Sequence, residues 1–179
     1  MERYSDKALG KEIDTLKLGS EITAATLSVV NKQADVDIDI PSNRESSREA
    51  FFLYMQNRVT GFAKTWSRPA GNELLNYPEF RLALEEILNK KIATGNFKPP
   101  MAIGELNYGD INANEDEINL FLKALKVHGN RLKDSLIKAP LPIMIVRAMK
   151  HKFYPNEDKY FSAVAEALAY EYKSTFLLD

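Results

Sequence analysis

The chain has 179 residues, a formal net charge of −1 at pH 7 and no cysteine. Its length suits one domain that can bury a core of its own, and its 45% hydrophobic and 27% charged residues are typical of a globular protein rather than a disordered one. The absence of cysteine excludes disulfides, thiolate metal sites, iron–sulfur clusters and cysteine nucleophiles. Segment 1–7 lacks the apolar core of a signal peptide, and no apolar run approaches the roughly 20 residues that span a bilayer, which predicts an intracellular, cytoplasmic protein.

The amino-terminal region predicts two short helices on either side of Gly19. Apolar residues recur at helical spacing in both segments. They are Leu9, Ile13 and Leu16 in the first, and Ile22, Ala25 and Val29 in the second.

Residues 35–40 alternate aspartates with β-branched side chains directly before Pro41. This pattern predicts a short strand with one solvated face and one buried face, the latter made of Val36, Ile38 and Ile40. The aspartates also have the spacing of the first ligands of a calcium loop, but Ile40 and Ser46 stand where that loop needs a glycine and a glutamate. We therefore expect a strand and no metal site.

Three later segments open with the signature of a helix start, a capping residue followed three positions later by glutamate. They are Ser46 with Glu49, Asn76 with Glu79, and Asn114 with Glu117. In each pair the first side chain can accept from a free backbone amide, while the glutamate accepts from the amide of the cap. Apolar residues at helical spacing follow each start, and the first helix is predicted to run to Trp66. Pro78 suits the first turn of the second helix, and Gly95 and Gly129 suit the carboxyl-terminal caps of the second and third.

Two further helices are predicted toward the carboxyl terminus. One covers 142–152, with Pro142 in its first turn, and the other follows Pro155 and Asn156. The fold class expected from these elements is all-α. We predict a single compact domain over 1–179, with about seven helices and at most one short β-hairpin.

No catalytic or cofactor-binding signature accompanies these elements. The sequence contains neither a phosphate-binding glycine loop nor a nucleophile elbow. Its two histidines, His128 and His151, lie in different predicted helices and outside any metal motif. We therefore predict no catalytic residue, cofactor or metal ligand. A small enzyme that assembles a carboxylate pair in space is the least favoured alternative.

Positive charge is concentrated between residues 122 and 152, where eight lysines and arginines oppose one acid, Asp134. Acidic segments flank this block, with net charges of −5 over 101–121 and −3 over 153–179. On the predicted helix 142–152, one stripe carries cations and the rest of the circumference is largely apolar. That stripe comprises Arg147, Lys150 and His151. The candidate contacts with an anionic partner are Lys123, Lys126, Arg131, Lys133, Arg147 and Lys150. A smaller basic and aromatic group comprises Arg58, Lys64, Trp66 and Arg68.

This charge distribution favours a non-enzymatic binding or assembly protein whose basic surface contacts an acidic partner, with nucleic-acid phosphates as the leading partner. The alternative is a protein-interaction or structural subunit that forms a homo-oligomer through complementary acidic and basic blocks. No membrane partner is expected. A charge run can also be no more than a solvated face, and cations late in a helix complement its dipole. The function therefore requires that the basic side chains form one uncovered surface.

Overall fold

The computed structural model describes residues 12–66, 75–90 and 99–176. The helices within them are α1 (Thr15–Asp35), α2 (Met55–Arg58), α3 (Pro78–Lys90), α4 (Ile111–Lys126), α5 (Pro142–Ala148) and α6 (Glu157–Phe176). Strands β1 (Phe62–Thr65) and β2 (Pro100–Ala102) form a two-stranded antiparallel sheet. The mainly helical fold is confirmed. The described residues hold six α-helices instead of about seven.

Helix α1 continues through Gly19, so the prediction of two short helices is wrong. The helix begins after Asp14, whose side chain accepts a hydrogen bond from the backbone amide of Lys17 at 3.0 Å. A glycine in a helix interior costs only about 1 kcal/mol. Packing of α1 along α4 offsets that cost. Leu9, part of the first predicted helix, lies outside the described residues.

The carboxyl-terminal cap of α1 replaces the strand predicted over 35–40. Asp37 adopts a left-handed φ of 57°. Its amide donates to the carbonyl oxygen of Ala34 at 3.2 Å, and the amide of Ile38 donates to that of Gln33 at 2.9 Å. These two bonds close the helix end. The apolar residues of the predicted buried face are instead exposed.

The segment between Ser46 and Trp66 is not the long amphipathic helix that its spacing predicts. Turns occupy most of 44–54, and only α2 is helical. The chain then enters β1 through Gly61, which has a φ of 88°. Several apolar residues of the segment are buried nonetheless, among them Met55 and Val59 from the predicted apolar face. Helical spacing therefore identified buried positions but not the backbone that carries them.

Helix α4 begins at Ile111, before the predicted start at Asn114. Asp110 caps it, accepting a hydrogen bond from the amide of Ala113 at 3.0 Å. Asn114 and Glu117, the predicted capping box, lie within the helix and are buried. The pattern of Asn114 and Glu117 matched a helix start, but Asp110, four residues earlier, already caps the helix.

Three other helix starts and the end of α4 lie close to where they were predicted. Helices α3 and α5 begin at Pro78 and Pro142. Asn156 accepts a hydrogen bond from the amide of Lys159 at the start of α6. Gly129 follows α4 with a φ of 53°. Gly95 lies outside the described residues.

Helix α5 ends at Ala148, so the prediction that it continues to Lys152 is wrong. Beyond the helix the chain extends beside β2. The amide of Ala102 donates to the carbonyl oxygen of Lys150, and the amide of Lys152 donates back to that of Ala102, both at 2.8 Å. Of the predicted cationic stripe, only Arg147 therefore lies on the helix.

The main core lies where α5 and α6 pack on each other and on the turns before β1. Its large, fully buried side chains include Ile145, Met149, Tyr160 and Leu168. A smaller cluster of Val30, Phe121 and Ala124 joins α1 to α4. Over 12–66, 75–90 and 99–176, no helix has both the length and the apolar character needed to cross a bilayer.

Candidate functional site

Two arginines and two glutamates form a buried ion network at the centre of the described fold. Glu117 on α4 contacts Arg48 at 2.9 Å and Arg58 at 2.5 Å. Glu171 on α6 contacts the same two guanidinium groups at 3.5 Å and 3.4 Å. The four side chains are at most 6% exposed. Each carboxylate therefore meets both arginines, and the four formal charges cancel.

Neutral groups satisfy the remaining hydrogen-bonding capacity of the network. The hydroxyls of Tyr54 and Tyr108 donate to Glu171 at 2.5 Å and 3.2 Å, and the side-chain amide of Asn43 donates to Glu117 at 2.6 Å. The Tyr54 ring lies against both guanidinium groups. Its centroid is 4.3 Å from the Cζ atom of Arg48 and 4.7 Å from that of Arg58. Such saturation is what allows buried charges to persist in a protein interior.

The protonation states of the network are set by burial and by the arginines. Burial by itself raises the pKa of Glu117, but Arg48 and Arg58 outweigh it and hold that pKa below the ordinary value. Burial raises the pKa of Tyr54 and of Tyr108 above that of a free phenol. Glu117 therefore stays ionised and both tyrosines stay protonated at neutral pH. This arrangement joins segments that are far apart along the chain.

Acid is expected to destabilise the fold through Glu117. Its pKa in the folded state lies below the ordinary value of 4.5, so the unfolded chain takes up a proton more readily. The free energy of unfolding should therefore fall as the pH drops through 4.5 toward the folded-state pKa. Denaturant unfolding from about pH 7 to about pH 3 measures this loss. The E117Q variant, whose amide does not titrate, should lose less on acidification than the wild type, and equal losses would contradict the prediction.

The members of this network are far apart along the chain, so no local sequence pattern predicted it. Arg58 stood only in a minor basic group, and Glu117 was taken as a capping residue. One signal was available. Glu117 precedes Ile118 on the apolar face of α4, and Glu171 follows Leu168 on the apolar face of α6, and an acid within an apolar stripe needs a buried partner.

An acidic cleft opens beside the network, between the amino-terminal halves of α1 and α4. Its volume is about 520 Å³, and the network residues Arg58 and Glu117 contribute to its lining. Carboxylates, neutral polar side chains and apolar side chains line the rest. The carboxylates are Glu49, Asp110 and Asp116, and the apolar side chains include Leu18, Ile22 and Leu120. Within the part of the chain that the structure describes, none of these three carboxylates forms an ion pair.

Half of the six candidate basic contacts pair with acids of the same chain. Arg131 lies 3.5 Å from Asp37, and Lys133 lies 3.1 Å from Asp39. These pairs form because segment 37–42 runs beside 131–136, with a backbone hydrogen bond from the Lys133 amide to the Asp39 carbonyl oxygen at 3.0 Å. Two of the three aspartates with calcium-loop spacing, Asp37 and Asp39, thus lie beside basic side chains. Lys150 lies 3.9 Å from Glu157.

The other three candidates, Lys123, Lys126 and Arg147, are exposed and form no ion pair with any described residue. The two lysines lie in the last turns of α4, which packs mainly on α1. Arg147 lies on α5, which packs on α6. The candidates that form no ion pair with a described residue therefore lie on two different helices, α4 and α5.

Each of the two histidines contacts another side chain of the described fold. His128 Nε2 lies 2.8 Å from the side-chain oxygen of Asn31, which ties the end of α4 to the end of α1. The His151 ring packs against Tyr160, with ring centroids 4.7 Å apart. Neither histidine lines the acidic cleft. Among the described residues there is no group of three or more histidines and acids that could hold a metal ion.

No protein-family model, curated protein or solved structure matches this chain. The function must therefore be argued from the described surfaces.

Proposed function

We propose that this protein is a non-enzymatic binding and assembly protein, and that it contacts an acidic partner through the outer face of α5. One observation carries the proposal. Ile143 and Met144 are 43% and 39% exposed, and both lie one helical turn from the exposed Arg147. The opposite face of the same helix is fully packed, with Ile145 at 0% exposure. Leu141, directly before the helix, is 60% exposed and extends the apolar surface.

The composition of this face favours a protein partner. The centres of protein–protein interfaces are enriched in arginine and methionine and depleted in lysine. The planar guanidinium of Arg147 is suited to a two-point contact with a carboxylate, and Ile143 and Met144 bury apolar area around it. The partner should therefore offer a carboxylate next to an apolar surface.

Nucleic-acid phosphates remain the second candidate partner, favoured by the unpaired Lys123 and Lys126 at the end of α4. Phosphate binding would draw on several cations and would weaken steeply with salt. Arg131, Lys133 and Lys150 support it less, because carboxylates of the same chain already lie beside them.

The test compares the wild type with I143S/M144S/R147E. Each tagged protein is added to an extract of its source cells and cross-linked, and the joined peptides are identified by mass spectrometry. The wild type should cross-link to protein partners through peptides that contain 141–147, and the triple variant should lose these links. The matched control, K126E, should keep them because it reverses a charge on α4.

Two outcomes would contradict the proposal. One is an identical set of cross-links from the wild type and the triple variant. The other is a gel shift with a DNA or RNA duplex at about 50 mM salt that K123E/K126E abolishes, with no protein cross-link from α5. The second outcome would assign the basic residues to nucleic acid.

A further inference from the structure

The acidic cleft between α1 and α4 has the properties of a binding site. Its volume of about 520 Å³ lies within the range of ligand-binding pockets. Leu18, Ile22 and Leu120 are partly buried and line its apolar part. Arg58 and Glu117 neutralise each other within the ion network. The other lining carboxylates therefore leave the cleft with uncompensated negative charge.

The three remaining carboxylates differ in what already contacts them. Asp110 accepts the capping hydrogen bond at the start of α4. Glu49 accepts hydrogen bonds from the side-chain amides of Gln56 and Asn57 at 3.3 Å and 3.4 Å. Asp116 is exposed and has no hydrogen bond or ion pair with any residue in the described ranges. Asp116 is thus the carboxylate of the cleft with the fewest contacts among the described residues.

The outer face of α5 complements this cleft in both charge and polarity. It presents the guanidinium of Arg147, which pairs with no acid in the described ranges, with Ile143 and Met144 beside it. The cleft presents the carboxylate of Asp116, which pairs with no described cation, beside apolar side chains. Within one copy the two surfaces do not meet, since no residue of α5 lines the cleft.

We infer that the acidic partner of the α5 face is a second copy of this chain, which receives Arg147, Ile143 and Met144 in its cleft and pairs Asp116 with Arg147. The inference rests on the proposed function of the α5 face and names its partner. Because the two contacting surfaces differ, each copy carries one of each. The copies then associate head to tail in a ring or filament, or two copies close on each other with both contacts formed.

Charge reversal on each surface tests this contact on the purified protein. Sedimentation velocity should show a molar mass that rises with concentration for the wild type. R147E alone and D116R alone should each associate at least about tenfold more weakly, because like charges then meet in the cleft. Both positions are exposed, so thermal unfolding should be unchanged in both variants.

Mixing the two variants provides the decisive measurement. In an equal mixture of R147E and D116R, one contact joins Arg147 to Asp116 as in the wild type, and the other joins the two introduced charges with opposite sign. Association should therefore return. The R147E/D116R double variant should also self-associate, and the K126E control should behave as the wild type.

Two results would overturn the inference. One is a wild type that stays monomeric at every concentration up to its solubility limit. The other is an equal mixture that associates no better than either variant alone. If the purified wild type is monomeric while I143S/M144S/R147E still loses its cross-links in extract, the partner is a different acidic protein and the proposed function stands. If that triple variant keeps every cross-link, the proposed function itself fails.

Discussion

Replacing Arg48 by methionine is expected to lower the free energy of unfolding by about 3–5 kcal/mol. The substitution leaves Glu117 and Glu171 with only one guanidinium, that of Arg58, in an interior where the side chains are at most 6% exposed. Arg48 also donates to the carbonyl oxygen of Lys138 at 2.7 Å, and that acceptor loses its partner. Equilibrium unfolding in urea measures the change.

Two controls separate the buried network from ordinary ion pairing. Lys133→Met removes an exposed partner of Asp39 and should change the stability by less than about 1 kcal/mol. The double variant R48M/E117L removes one charge of each sign, so it should be less destabilised than the sum of its two single variants. If R48M costs no more than K133M, the network does not contribute to stability in the way that its burial implies.

Replacing Gly61 by alanine is expected to destabilise the fold by about 3 kcal/mol or more. Gly61 has a φ of 88°, and an added Cβ would lie 2.4 Å from the carbonyl oxygen of Glu105 and 2.9 Å from that of Gly104. Both obstacles are backbone atoms, which cannot move aside as a flexible side chain can. The carbonyl oxygen of Gly61 also accepts the amide of Ile103 at 2.9 Å, so relieving the clash would disturb the approach to β1.

Gly19 offers the matched control for this substitution. It lies inside α1, and an added Cβ there meets nothing within 4 Å. Gly19→Ala should therefore stabilise the protein by about 0.5–1 kcal/mol, since alanine loses less backbone entropy on entering a helix. Thermal or denaturant unfolding of both variants measures whether each substitution stabilises or destabilises the protein. A stability change of the same sign in both would contradict the prediction.

Local signals in the sequence were sufficient for several helices. Apolar spacing with Pro78, Pro142 or Asn156 at the start located α3, α5 and α6, and Gly129 marked the end of α4. The position of a helix start depends on a few residues. Their side chains accept from a free backbone amide of the first turn or, like proline, they have no such amide. Such information lies within one or two turns of chain, where a sequence pattern can report it.

Local sequence patterns gave wrong predictions where contacts between residues far apart in the sequence determine the backbone. The residues after Ser46 have helical spacing, yet the backbone there follows turns that bring Arg48 and Arg58 to Glu117. The hydrogen bonds from these arginines to Glu117 join positions 69 and 59 residues apart. No local pattern contains both ends of such a contact. Asn114 and Glu117 match a capping box, but Asp110 caps the helix and leaves them to interior partners.

By itself the sequence determined a mainly helical, cysteine-free chain with the starts of α3, α5 and α6 and with a concentration of cations over 122–152. Only the tertiary structure decided which of those cations face solvent unpaired. Segment 37–42 folds back beside 131–136 and brings aspartates to Arg131 and Lys133, while Arg147 on α5 pairs with no acid in the described part of the chain. The physical reason is that a charge sum along the chain counts side chains without their neighbours. The electrostatics of a surface depend on distances of a few ångströms between residues that the sequence holds far apart.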